Sequence, residues 1–272
     1  MNTGTDREFV NSLAKGLNLL MCFTKHHPMW SLSEIAKTNE MNLPTARRYL
    51  HTFSKLGFMI KDEATKTFHL TPKTLRLGGW VIESMGIRDR LMPHMKSIRN
   101  DLDVTTHCAI LEGKELVAVD RILSSDLVNL DLSPGSQLPI HATSLGKAIV
   151  AFMDISEQEK IAGKIDFKRL TPHTITDVQS FMADLKTTRS RGYAISDQEV
   201  AIGLKTLAIP IFNQKGIVEA AFGVSFPLFR TRKQGFEDSL IERLFDLRDK
   251  TCVGIKPDRF FPPTFISMNE IG

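Results

Sequence analysis

The stretch Leu43-Pro-Thr-Ala-Arg-Arg-Tyr-Leu-His-Thr-Phe-Ser-Lys55 divides into two faces when wound as an α-helix. Ala46, Leu50, Phe53 and, just beyond, Gly57 fall on one face, with Tyr49 and Leu56 at its edge. Opposite them lie Pro44, Arg48, His51 and Lys55, flanked by Thr45 and Arg47. Pro44 marks the start, because a helix has no use for the N–H of its first residues. One face is made to pack and the other to meet a hydrogen-bonding, anionic surface.

The residues around this segment supply its setting. Upstream, Leu13, Leu17, Leu20 and Met21 recur at helical spacing, and His27-Pro28 closes that helix. Ser31 stands three residues before Glu34, the spacing of a capping box, and Leu32, Ile35 and Ala36 give a second helix its apolar face. Only Glu40-Met-Asn-Leu43 connects the second helix to the third. Downstream, Phe58–Ile60 and Thr67–Leu70 flank the polar Lys61–Lys66, the pattern of a β-hairpin. Thr71-Pro72 then opens a linker helix through Leu75, Leu77, Trp80, Val81 and Met85.

Two helices with a very short connection, the second basic, followed by a hairpin with a basic tip, make a winged helix-turn-helix whose third helix enters the major groove of double-stranded DNA. Arg47 and Arg48 suit guanine edges or phosphates, Thr45 and His51 offer further hydrogen bonds, and Lys55, Lys61 and Lys66 suit phosphates. A polar helix face is often merely solvated, and a winged helix can serve protein contacts alone; the order of elements is what favours DNA. Charge placement agrees more weakly. Residues 1–85 hold 11 Lys+Arg against 7 Asp+Glu, whereas residues 86–272 hold 24 of each, so the whole formal excess of +4 lies in the first third.

Composition bounds the rest. With 272 residues, 42% hydrophobic and 24% charged, the chain has the length for two domains and the apolar content for buried cores. Cys22, Cys108 and Cys252 are too scattered for a disulfide framework or a zinc cluster, which points to a reducing cytoplasm. The polar Met1–Val10 is no signal peptide, and no apolar run is long enough to span a membrane.

Beyond a helix at 91–102, strands are expected at 106–111, 116–122, 127–132, 193–196, 204–212 and 217–226. Helices are expected at 143–152, 156–165, 177–191, ending at Gly192, and 234–250. Tight turns between strands imply a mainly antiparallel sheet, and hence an α+β protein. Thr143 and Ser144 stand where a strand-like approach turns into a helix. Their hydroxyls either cap that helix or join its free N–H groups in holding a carboxylate. Catalytic and cofactor motifs are absent. Ala142-Thr-Ser-Leu-Gly146 lacks the first glycine of a nucleophile elbow, Gly146-Lys-Ala148 is no phosphate loop, and the eight histidines form no metal set. A small-acid hydrolase or lyase carrying a winged helix is the alternative to a regulator.

Several blocks resemble the IclR family of bacterial regulators. They are Ser12–Leu20, Leu32–Ala36, Leu43–Leu50, Lys55–Phe58 and Phe68–Pro72, then Leu138-Pro-Ile-His-Ala-Thr-Ser-Leu-Gly-Lys-Ala148 and Arg191–Tyr193 through Glu199 to Gly203-Leu204. The first blocks look most like the protocatechuate and hydroxybenzoate regulators, and the second domain looks as close to sugar-acid regulators. The resemblance spans roughly residues 9–250. It implies a winged helix-turn-helix domain at 9–71, a linker helix at 72–88, a GAF-like effector domain at 89–252 and a tail at 253–272. It further implies a homodimer or dimer of dimers on a roughly palindromic operator, and a pocket for a small organic acid. Matching positions are Leu138, Ser144 and Leu145, then Ser196 or Asp197, then Leu204, Thr206 and Ser225. Where relatives can carry Asp and Cys, this chain has Ser196 and Thr206.

Overall fold

The computed structural model describes residues 8–24, 26–126 and 133–251, which divide between Ser84 and Met85 into two compact units. The strand expected at 127–132, Cys252 and the tail at 253–272 lie outside the described residues.

The first unit runs α1 (Asn11–Met21), β1 (Trp30–Ser31), α2 (Leu32–Thr38), α3 (Leu43–Lys55), β2 (Met59–Lys61) and β3 (Thr67–Leu70), then a 3-10 turn (Pro72–Thr74) and α4 (Leu75–Met85). The capping box forms as its spacing predicts. Glu34 accepts from the Ser31 N–H at 2.8 Å and the Ser31 hydroxyl accepts from the Glu34 N–H at 3.3 Å. The Ser31 N–H and the Ser31 hydroxyl, both donating to that carboxylate, hold the Glu34 carboxyl below its ordinary range. Leu19, Ile35, Ala36, Ala46, Leu50 and Met59 form the core. Gly16 packs in α1 because a Cβ there would come within 3.3 Å of the Phe53 ring.

Three details depart from expectation. Leu13, Leu17 and Met21, the repeat that signals α1, point outward, and the core takes Leu19 from between them. Gly57 is not on the packed face of α3; it follows the helix end with φ +76°, a left-handed conformation suited to glycine. And β1, two residues long, joins the hairpin as a third strand in the order β1-β3-β2. Two residues show no alternation to read.

The second unit contains α5 (Ile87–Leu102), β4 (Thr105–Glu112), β5 (Glu115–Ile122), β6 (Gln137–Leu138), α6 (Ser144–Val150), α7 (Ile155–Ala162), α8 (Val178–Arg191), β7 (Ala194–Asp197), β8 (Leu204–Phe212), β9 (Val218–Pro227), a 3-10 segment (Leu228–Arg232) and α9 (Phe236–Thr251). Its six strands pair antiparallel in the order β6-β5-β4-β9-β8-β7. Alternation along the strands feeds two cores. Ala109, Ala208 and Ala221 pack with α6 and α8, whereas Leu207, Ile209, Phe222 and Val224 pack with α5 and α9. Gly192 ends α8 with φ +84°, as expected from its position. α6 begins later than its motif implied, with Thr143 outside the helix as its cap.

Candidate functional site

On α3 the two faces separate as the sequence implies. Ala46 and Leu50 are buried, while Pro44, Arg47, Arg48, His51 and Lys55 are exposed and Thr45 is half-buried. The helix starts one residue before Pro44, because Asn42 caps it by accepting from the Thr45 N–H at 2.9 Å. Arg47, Arg48 and Lys55 have no ion-pair partner among the described residues, so their charges are available to an outside anion. The hairpin differs. Lys61 and Lys66 both reach Glu63, at 2.9 Å each, and together they hold its carboxyl below the ordinary range. With Asp62 beside them the wing tip is neutral overall. Local acids were the signal available, and counting only the lysines missed it.

In the second unit, Thr143 accepts from the Gly146 N–H at 3.2 Å and donates to the Pro139 carbonyl at 2.8 Å. Its hydroxyl is therefore taken up by capping. A Cβ at Gly146 would lie 2.4 Å from the Ile140 carbonyl oxygen, so only glycine lets the approach chain fold over the first turn of α6. Ser144 is buried and accepts from the Thr206 hydroxyl at 2.8 Å, which fixes Thr206 on the α6 face of the sheet. In register with Thr206 stand Ser196 on β7 and Ser225 on β9, and with Ser225 stands Thr105 on β4. Four buried hydroxyl residues thus cross four neighbouring strands in one row. The hydroxyls of Ser196 and Ser225 make no hydrogen bond among the described residues.

Other expected positions do not join that row. Leu145 is buried in the core beneath it, and Leu204 is buried at the start of β8 on the same face. Asp197 is exposed and alternates to the opposite face, so Ser196 is the member of that pair beside Thr206. Leu138 sits on β6 at the far edge of the sheet, where, away from the row, it lines a cavity of about 220 Å³ with His141 and Lys164.

The IclR helix-turn-helix model matches residues 12–63, and the IclR C-terminal model for bacterial transcriptional regulators matches residues 80–253. The chain belongs to the IclR family. It is a ligand-responsive, DNA-binding transcriptional regulator. The Pca regulon regulatory protein of Pseudomonas putida is 31% identical over 91% of this chain and 84% of its own length. The Thermotoga maritima IclR structure superposes with a TM-score of 0.69 at 26% identity, covering 90% of this chain and 99% of that one. The inducer-binding domain of a PobR double mutant from Acinetobacter, in complex with 3-hydroxybenzoic acid, is 27% identical with a TM-score of 0.54. It covers 59% of this chain and 94% of that one. These relatives are regulators, and nothing among them supports the hydrolase or lyase alternative. No helix among the described residues is long and apolar enough to cross a membrane.

Sequence reading missed two features of this IclR-family effector domain. Lys147, met only as part of a failed phosphate-loop match, is 1% exposed and pairs with Glu199 at 2.5 Å and Asp184 at 3.1 Å. His107 is buried on β4, where burial first and the Arg121 cation second push its imidazole down to about 3. Cys108 is inert, its thiol raised to about 12 by burial.

The His107 shift has a consequence for acid stability. The unfolded imidazole titrates near 6.5 and the folded one near 3. Below about pH 6.5 the unfolded chain therefore binds the extra proton, and stability present above that pH is lost as pH falls towards 3. The slope is about 1.4 kcal/mol per pH unit, or about 2 kcal/mol by pH 5. His107→Gln is expected to lose about that much less than the parent between pH 7 and pH 5 in urea unfolding. An undiminished loss would mean that other groups, His141 and His94 among them, carry the acid sensitivity.

Proposed function

We propose that two copies of this chain dock their α3 helices in successive major grooves of a roughly palindromic operator, and that a small carboxylic acid biases that docking. The observation that carries the reading is the basic face of α3, exposed and without ion-pair partners among the described residues. Arg47 and Arg48 would contact base edges or phosphates, with Pro44, Thr45, His51 and Lys55 completing the surface. Lys61 and Lys66 contribute only where a phosphate outcompetes Glu63.

The functional boundaries under this reading are a DNA-binding domain at 9–71, a linker at 72–88, an effector domain at 89–252 and a tail at 253–272. The linker expected as one helix is instead a 3-10 turn and α4, with Gly86 at φ +62° separating α4 from the start of α5. A homodimer, or a dimer of dimers, is supported by the outward apolar stripe of Leu13, Leu17 and Met21 along α1, with the exposed Phe9 just before it. A regulator that binds chromosomal DNA works in the cytoplasm.

The acid would be held at Ser144, Thr206, Ser196 and Ser225, with Leu145 and Leu204 as apolar neighbours. Thr143 and Leu138 would shape the site rather than touch the ligand, and Asp197 lies outside it. The hydroxyl row supports this, as does the aromatic acid bound by the Acinetobacter relative. A catabolic operon is the fitting target for such a sensor. An acid shifts DNA binding only through a difference in affinity between two arrangements of the protein.

Selection of genomic fragments by the purified protein tests the reading. Enrichment of a motif with two related half-sites, about one helical turn or a multiple of it apart, is the expected result. No sequence enrichment over bulk DNA would sink it.

A further inference from the structure

The hydroxyl row does not fill the polar part of the sheet face. Two residues along β4 from Thr105, on the same side, stands His107, paired across to Arg121 of β5 and Gly223 of β9. Gly223 provides the room: a Cβ there would come within 2.8 Å of the imidazole Nε2. His107 is 7% exposed, and its enclosed Nδ1 has no hydrogen-bond partner among the described residues. A buried polar nitrogen without a partner is costly, so the position calls for a group that the described chain does not supply.

The chemistry of that group follows from the ring. Burial and the neighbouring Arg121 keep the imidazole neutral, with one nitrogen a donor and the other an acceptor. A carboxylate pairs only with the N–H, whereas a hydroxyl answers either nitrogen. Strands lie about 4.8 Å apart and alternate residues about 6.8 Å apart, which puts the Cα atoms of His107 and Thr206 roughly 12 Å from each other. Once the reach of both side chains is included, the remaining span matches the length of a benzene ring with one substituent at each end.

We propose that His107 is a specificity-determining residue that hydrogen-bonds a hydroxyl on the acid, at the end opposite its carboxylate. The ligand class is then a hydroxy acid rather than a simple carboxylic acid. This rests on the reading of the Ser144–Thr206 row as the carboxylate site.

Calorimetric titration of the full-length protein with benzoate, 3-hydroxybenzoate and 4-hydroxybenzoate tests it. At least one hydroxybenzoate is expected to bind tenfold or more tightly than benzoate. His107→Leu should abolish that preference while leaving benzoate within about threefold, and His107→Gln, which keeps hydrogen-bonding capacity, should retain part of it. Thr206→Val should weaken all three acids together. Equal binding of benzoate and both hydroxy acids by the parent protein, or a preference that survives His107→Leu, overturns the role of His107. If Thr206→Val still weakens all three in that case, the carboxylate site stands. Failure of the parent protein to bind any of the three acids overturns both.

Discussion

Lys147→Met is expected to destabilise the effector domain by about 3–5 kcal/mol, among the largest effects of any single substitution in this chain. Lys147 is among the largest fully buried side chains of the described residues, on the helix that packs over the sheet. Its ammonium group meets Glu199 and Asp184 and also donates to the Ile195 carbonyl at 3.3 Å. Methionine fills much the same volume, so the loss is electrostatic: the buried Glu199 and the partly exposed Asp184 lose their shared cation, and the nearby Arg191 offsets them only in part.

The pH dependence of that loss identifies its cause. Burial already raises the Glu199 carboxyl, and Lys147 is the main influence holding it down. Without Lys147 the folded carboxyl rises further above its unfolded value, so the variant regains stability as pH falls and Glu199 protonates. Lys147→Met with Glu199→Gln should accordingly recover a large part of the deficit at neutral pH. Thermal unfolding of the full chain, for which each kcal/mol moves a midpoint by about 2–4 °C, would show both effects. A loss below about 1 kcal/mol would mean that water reaches this network.

Lys147 also shows what the sequence could and could not disclose. The wing, α2 and α3 were legible because local rules govern them: a capping box, a short turn, a helix whose faces differ in polarity. The sheet was legible as strands, since alternation needs only a few residues. Its order was not, because β4 pairs with β9 across more than a hundred residues, and no local pattern records such a partner. The site divides in the same way. Ser144 lay in a block with family spelling, and Thr206 and Ser225 fell at positions the resemblance pointed to, but the alignment of Ser196, Thr206 and Ser225 as a row depends on register between distant strands. His107 and Lys147 looked ordinary, because burial, which makes them unusual, is a property of the fold.

The second large effect falls on DNA. Arg47→Ala with Arg48→Ala removes two of the exposed cations of α3 without touching Ala46 or Leu50, so the first unit should keep its stability within about 0.5 kcal/mol. Operator affinity should fall by about 2–5 kcal/mol, some thirtyfold to several thousandfold, because guanidinium contacts to bases contribute about 1–3 kcal/mol each and phosphate contacts add to them. Lys61→Ala should cost much less, since Glu63 already engages that lysine.

The most direct measurement is operator affinity against salt concentration, for the parent protein and for the double variant. The parent protein should show a steep linear fall of log affinity with log salt, and the variant a slope shallower by about one for each phosphate contact removed. Equal slopes and equal affinities in the two proteins would contradict the assignment of α3 as the DNA-reading element.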